Sequence, residues 1–245
     1  FSQDTHYSII KAARVLKIDT PYDIGIKKYP DENPLSKTGK WTRDLTEVPS
    51  VKGAEGTGSI DVDKLKILVE FFASKGHPII ISCNLGTTFK GAYDNVEKIG
   101  KTLMPIFEKY GLVNRKVIYD EKGDEDIRNG YWIHVDGALG AAYLPYLEMA
   151  YKQKKLDAQG PVFDFRLPFV SSIVMSGHKW IGSPWPCGVF MTKVGYQLYP
   201  PDEPGYIGSM DTTFAGSRNG MSSIILWNYL AKNSYEKQVE KALNC

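Results

Sequence analysis

The segment Pro-Ile-Ile-Ile-Ser-Cys-Asn-Leu at residues 78–85 constrains the fold more than any other part of the chain. It is a short continuous apolar run with a helical pattern on either side. Upstream, residues 61–75 space Val62, Leu65, Leu68, Val69 and Phe72 along one helical face and stop at Gly76. Downstream, residues 95–110 are helical again. The run between them predicts a strand buried on both faces. Residues 131–136, 170–176 and 188–192 are further short strand candidates, and residues 140–155 and 220–243 are helical stretches. A shorter amphipathic helix over 7–17 places Ile9, Ala12, Ala13 and Leu16 on one face. Strands alternating with helices in this way predict an α/β fold with a largely parallel sheet packed between helices.

Two segments break the alternation. Residues 21–59 are rich in Pro, Gly, Lys and Asp without sustained periodicity, and residues 113–130 are charged and turn-rich. Both are predicted to be excursions from the core. No internal repeat or domain linker is visible, and a chain of 245 residues is long enough to bury a sizeable core. The chain opens at Phe1 without a methionine, and it is expected to be part of a longer one.

Three strand candidates end in polar clusters, and ligands of open α/β sheets bind at the carboxyl ends of strands. The clusters are Gly86-Thr87-Thr88, His134-Val135-Asp136-Gly137-Ala138 and Ser176-Gly177-His178-Lys179. Each residue has an ordinary alternative. Asp136 would cap the following helix, Lys179 would be a solvated surface lysine, and Thr87 and Thr88 would be turn residues. His6 and His77 would be satisfied core or surface histidines. Lys179, however, is flanked by Val174-Met175 and Trp180-Ile181, so its amine must snorkel or be bonded. His134 and Asp136 point the same way on a strand, which suits a metal, but no second His pair or Cys cluster accompanies them. No Gly-x-Gly-x-x-Gly follows a strand and no Walker-type loop occurs. The stretch Gly216-Ser217-Arg218-Asn219-Gly220 has only the general character of an anion-binding loop.

Thirty basic side chains against twenty-eight acidic ones leave a formal +2, which gives no electrostatic case for nucleic acid or an anionic membrane. No apolar run reaches membrane-spanning length. Cys83, Cys187 and Cys245 lie far apart and read as free thiols, for which the cytoplasm is the expected compartment.

The clusters are more specific together than singly. His-Val-Asp-x-Ala at 134–138, followed about forty residues later by Ser-x-His-Lys at 176–179, resembles the fold-type I pyridoxal-phosphate enzymes. The resemblance is strongest to the group II amino-acid decarboxylases. Four other stretches agree: Asp4-Thr-His-Tyr-Ser8, Leu85-Gly-Thr-Thr88 with Ala92-Tyr-Asp94, the run from Ser176 to Gly188, and the run from Asp211 to Gly220. The last two are similar in particular to the branch of bacterial histidine decarboxylase and plant serine decarboxylase. The resemblance implies an aspartate aminotransferase-like large domain across residues 1–245, preceded by a phosphate loop and followed by a smaller domain that this sequence does not include.

The resemblance also implies roles. Lys179 would form the Schiff base with pyridoxal 5'-phosphate, helped by a partly desolvated setting. Asp136 would keep the pyridine nitrogen protonated, and His6 would stack on one ring face with Ala138 against the other. Thr88 would lie near the ring hydroxyl, and Ser176 and His178 would contact the phosphate or hold the lysine's surroundings. Gly216 and Ser217 would reach the partner's phosphate in a homodimer. Tyr206 is a candidate for returning the proton. The implied reaction is decarboxylation of an L-amino acid. A carbon–carbon lyase, a desulfurase and a catalytically silent homologue remain alternatives, because this scaffold does not by itself decide the bond that breaks.

Overall fold

The computed structural model describes residues 1–118, 123, 125–196, 205–206, 208 and 215–244. It divides into two compact units, Phe1–Asp136 with Pro161–Val170, and Gly137–Gly160 with Ser171–Cys245.

The first unit runs α1 (Ser8–Val15), α2 (Pro21–Lys28), α3 (Val62–Ser74), β1 (Ile79–Asn84), α4 (Val96–Lys109), β2 (Arg115–Ile118), β3 (Glu125–Arg128) and β4 (Tyr131–Asp136). Strands β1 and β4 pair in parallel, from Ile79 opposite Tyr131 to Asn84 opposite Asp136. Side chains alternate across a strand, so Ile81 and Cys83 share a buried face with Tyr131, Ile133 and Val135. Helices α3 and α4 bury Leu65, Leu68, Val69, Phe72, Ile99, Leu103, Ile106 and Phe107. Phe107 stacks face to face on Tyr131, with centroids 4.5 Å apart. Both helices start at side-chain caps, since the Asp61 carboxylate accepts from the Asp63 and Lys64 amides and the Asn95 side chain accepts from Lys98. Helix α3 ends before Gly76, whose φ of +81° is the left-handed value that glycine tolerates.

Strand β1 is buried on both faces from Ile81 to Asn84, as its apolar run predicts, while Ile80 near its start is 57% exposed. Helix α1 forms as expected, yet none of its residues is buried. Its apolar stripe is thus left uncovered or only partly covered, although the spacing marks the helix correctly.

The excursion at 21–59 is more ordered than its composition suggested. Thr20 and Asp23 make a reciprocal capping box at the start of α2. The Trp41 indole lies flat on Gly25, and its Nε1–H donates to the Tyr29 carbonyl at 2.7 Å. Tyr29 meets Phe71 edge-on, so this segment carries its own aromatic packing on the end of α3. The excursion at 113–130 holds an antiparallel hairpin, β2 with β3; residues 119–122 and 124 lie outside the described residues.

Gly100 in α4 shows how tightly this unit is packed. A Cβ there would lie 2.0 Å from the Phe169 ring. Gly100→Ala is therefore expected to destabilise the fold by about 1–3 kcal/mol, despite the better helix propensity of alanine. Urea unfolding of the two proteins checks this, and an equal or higher midpoint for the alanine variant would contradict it.

The second unit holds a 3-10 turn (Gly140–Ala142), α5 (Leu144–Lys152), β5 (Ser172–Ser176), β6 (Gly188–Thr192), α6 (Gly220–Lys232) and α7 (Tyr235–Leu243). Strands β5 and β6 are antiparallel, from Ser172 opposite Thr192 to Ser176 opposite Gly188. The helical stretch predicted over 220–243 is two helices. Asn233 turns extended, and the Ser234 side chain caps α7 by accepting from Lys237. Helix α7 buries Gln238, Val239 and Ala242 and packs against α5, whereas α6 buries none of its residues.

The chain is therefore α/β, as expected, with β1 and β4 parallel and the β6 edge antiparallel to β5. No helix among the described residues is long and apolar enough to cross a membrane.

Candidate active site

In the first unit, several of the predicted residues meet at the carboxyl ends of β1 and β4. Asp136 closes β4, half-exposed and in register with Asn84. The Asp136 carbonyl accepts from the Leu85 amide at 2.9 Å, which holds the chain leaving β1 beside it. Asp136 does not serve as the N-cap of a following helix. The next turn and α5 have Leu139 and Tyr143 in that position, neither making a side-chain capping bond. His134 stands two residues earlier on the same face, beside Ser82. Burial lowers the imidazole from its ordinary value, with the Asp136 charge opposing that shift.

Gly86, Thr87 and Thr88 form a compact turn that brings the chain back at Ala92. Gly86 adopts a φ of +94°, and the Gly86 and Thr87 amides donate to the Ala92 carbonyl at 2.9 and 3.1 Å. Thr87 is buried and spends its hydroxyl accepting from the Ala92 amide. Thr88, the expected neighbour of the ring hydroxyl, is exposed beside it.

His6 is held through its neighbours. Asn84 Nδ2 donates to Thr5 Oγ1 at 3.1 Å, to Ser2 Oγ at 3.2 Å and to Asp94 Oδ2 at 2.9 Å. Asp94 in turn accepts the amides of Ile60 and Asn84. Burial pushes the Asp94 carboxyl up, while these N–H bonds pull it back. Asp4 takes the Ser50 hydroxyl at 2.6 Å and the Lys90 ammonium at 3.1 Å. The His6 Nδ1 accepts from the Ser8 amide, so the neutral ring carries its proton on Nε2. The segment bearing His6 is thus tied to the strand end that lies in register with Asp136.

The motif containing Asp94 was visible in the sequence, but no role for Asn84 or Asp94 was. Asp94 immediately precedes the actual cap, Asn95, and reads as one more polar residue at a helix start. Asn84→Ala removes the side-chain hydrogen bonds to Ser2, Thr5 and Asp94 among buried and part-buried groups and should cost about 1–3 kcal/mol. It should also release residues 1–6 before the rest of the unit. Hydrogen exchange at the Thr5 and Ile9 amides checks this, and unchanged protection there would refute the anchoring role.

Burial of His134 gives a second prediction. An imidazole lowered in the folded state binds fewer protons there than in the unfolded chain, so its contribution is intact above the ordinary value of 6.5 and is lost as pH falls below it. His134→Gln should therefore flatten the acid side of the stability profile. Urea midpoints from about pH 8 to about pH 5 measure this. A wild-type profile no steeper than the variant's would count against it.

In the second unit, β5 ends at Ser176 and the chain turns through Gly177, His178 and Lys179. Ser176 donates its amide to the Ala138 carbonyl at 3.3 Å, and Gly177 donates to the Cys187 carbonyl at 3.0 Å. Gly177 admits no side chain, since a Cβ would lie 2.4 Å from the Cys187 sulfur. His178 Nδ1 lies within hydrogen-bonding distance of both the Cys187 carbonyl, at 2.9 Å, and the Cys187 amide, at 3.2 Å, so either tautomer ties the turn to the entry of β6. Lys179 is exposed and makes no ion pair among the described residues. The sequence predicts a partly desolvated setting; here Lys179 lies in the turn beyond the end of β5 and is exposed. Gly216 and Ser217 are exposed ahead of α6, as is Tyr206. Residues 211–214, part of a quoted motif, lie outside the described residues. Cys83 is buried in β1, which pushes its thiol up and makes it part of the packing.

These residues fit pyridoxal phosphate by their chemistry. An unpaired primary amine suits an aldehyde, a carboxylate at a strand end suits a pyridinium N–H, and an imidazole with its position fixed suits an aromatic face. Among the described residues, no three His, Cys, Asp or Glu side chains gather as a metal site.

Comparison with known proteins agrees. Residues 41–240 match the pyridoxal-dependent decarboxylase conserved domain. The whole chain is 31% identical to serine decarboxylase 2 of Oryza sativa, spanning 39% of that protein. It is 30% identical to histidine decarboxylase of Vibrio anguillarum, spanning 48% of it. The crystal structure of L-methionine decarboxylase from Streptomyces sp. 590 superposes on 98% of the chain with a TM-score of 0.90 and 50% identity, covering 51% of that enzyme. The chain thus spans about half the length of the relatives it matches. With the matched domain running through both units, the chain belongs to the pyridoxal-dependent decarboxylase family.

Proposed function

We propose that the protein to which this chain belongs decarboxylates an L-amino acid, and that its substrate is methionine or a similarly unbranched apolar amino acid. The observation that carries the substrate is the 50% identity, over 98% of the chain, to an enzyme described as L-methionine decarboxylase. The curated serine and histidine decarboxylases stand at 31% and 30%.

When bound, pyridoxal phosphate supplies an electron sink for the pair left on the α-carbon as carbon dioxide departs. The chain's own residues prepare that chemistry. Lys179 would supply the amine that holds the cofactor's aldehyde carbon. Asp136 would keep a proton on the pyridine nitrogen. His6 would cover one ring face and Ala138 would lie against the other. Thr88 would stand by the ring hydroxyl, and Ser176 and His178 would contact the phosphate or shape the turn that presents Lys179.

A homodimer in the cytoplasm completes the reading. Support comes from the exposed Met221, Ile224, Trp227 and Leu230 on α6, directly after Gly216 and Ser217. The free thiols of Cys83 and Cys187 suit a reducing compartment.

The test is product analysis. The full-length, cofactor-loaded protein is incubated separately with each of the twenty common amino acids, and amines lighter by one carbon dioxide are sought by mass spectrometry. Release of 3-methylthiopropylamine from methionine, well above every other amine, is the expected result. A different single amine would overturn the substrate. No amine, with cofactor still fixed to Lys179, would favour a lyase or desulfurase reaction.

A further inference from the structure

We propose that Lys241, on α7, is a positioning residue for Lys179. The inference rests on the reading of Lys179 as the amine that holds pyridoxal phosphate. Lys179 lies on an exposed turn, and its four-carbon side chain must deliver the amine to one point. The backbone of that turn therefore has to be fixed by something outside the strand.

One side of the turn is secured by the Ser176, Gly177 and His178 bonds already described. The other side is secured at Trp180, the residue following Lys179. Lys241 Nζ donates to the Trp180 carbonyl at 2.6 Å and to the Tyr229 hydroxyl oxygen at 3.0 Å. The same ammonium lies 4.2 Å from the Trp180 ring centroid and 5.0 Å from that of Tyr229. The Trp180 indole also stacks on Tyr146 of α5, with centroids 5.6 Å apart and planes at 25°. One cation thus gathers a carbonyl, a hydroxyl oxygen and two aromatic faces around the peptide next to Lys179. A charged donor to a carbonyl is stronger than a neutral one, and an aromatic face adds attraction that an uncharged side chain would not receive. The Lys241 stem, rooted on a helix that buries Gln238, Val239 and Ala242, gives this contact a rigid base.

Three variants of the full-length holoenzyme test the proposal: Lys241→Met keeps the stem, Lys241→Arg keeps the charge, and Tyr229→Phe removes one acceptor while leaving its ring. Losing one charge-assisted bond corresponds to a change of about tenfold. Lys241→Met should release pyridoxal phosphate into dialysis buffer about tenfold faster and lower kcat by a similar factor at unchanged KM. Lys241→Arg should restore most of both. Tyr229→Phe should move both in the same direction by less, and it provides a readout if Lys241→Met does not fold. A lowered melting temperature with wild-type cofactor release and kcat in Lys241→Met would make Lys241 structural only and overturn the proposal. Arginine failing to rescue would overturn it too. Borohydride reduction of the unsubstituted holoenzyme, followed by peptide mapping, separates the two levels. Cofactor mass on a lysine other than Lys179 would remove the underlying reading, whereas mass on Lys179 with no effect at Lys241 would remove this inference alone.

Discussion

A Lys179→Ala variant of the full-length protein is expected to lose turnover by about 10⁴-fold or more while keeping its fold. The fold should survive because Lys179 is exposed and makes no ion pair among the described residues, and the turn is held by backbone bonds of Ser176, Gly177 and Ser183. An alanine there leaves no buried partner unsatisfied, so the urea midpoint should stay within about 0.5 kcal/mol of wild type. What disappears is the amine that fixes the cofactor. Borohydride treatment should then leave no pyridoxyl mass on the 176–183 peptide, although the cofactor still binds without a covalent bond. Turnover within tenfold of wild type would refute the assignment of Lys179. Loss of turnover accompanied by unfolding would mean that the residue supports the turn, which the exposed position does not suggest.

The fold was readable wherever one face of an element is buried by its own neighbours in the chain. Helices α3 and α4 and strands β4 and β6 fall where hydrophobic period and cap residues placed them, because Leu65, Leu68, Val69 and Phe72 meet a strand only a few residues on. The pattern misled where burial depends on something distant. Ile80 is apolar like its neighbours yet exposed near the start of β1, while Ser82 and Asn84 on the same face are buried further along, a difference the run itself does not carry. The excursion at 21–59 looked unstructured because its order comes from Trp41 and Tyr29 reaching α3, contacts without a local period.

The candidate site divides in the same way. Lys179, Asp136 and His6 can be proposed from the sequence because their chemistry is rare and their motifs specific. The residues that hold them, Asn84, Asp94, Lys90 and Lys241, are common polar types whose meaning lies in long-range contacts. Lys241 lies sixty-two positions after Lys179, and nothing in its neighbouring sequence distinguishes it from Lys237, the other lysine of α7. Lys179 differs from expectation in one respect: its apolar flanks predict desolvation, and it is exposed on the turn that follows β5.

Asp136→Asn should lower kcat by about 10²–10³-fold with the fold and cofactor binding largely retained. Asparagine matches the shape of aspartate, and Asp136 is half-exposed, so no deep packing is lost. Its backbone carbonyl would still accept from Leu85, and Asn84 would still be held by Asp94, Ser2 and Thr5. The substitution removes the formal negative charge that the proposed function sets opposite the ring nitrogen. A neutral amide does not favour a protonated pyridine, so the ring accepts the α-carbon electron pair less readily, which is a transition-state cost more than a binding cost. The predicted signature is a large fall in kcat with a small change in KM, together with a shift of the bound cofactor's absorption toward that of an unprotonated ring. His134 provides an internal control. Its imidazole is lowered by burial with Asp136 opposing, so losing the carboxylate charge should lower it further, and its ring signals in NMR should titrate at lower pH in the variant. Near-normal kcat in the presence of that His134 shift would show that the charge had been removed and that catalysis does not use it.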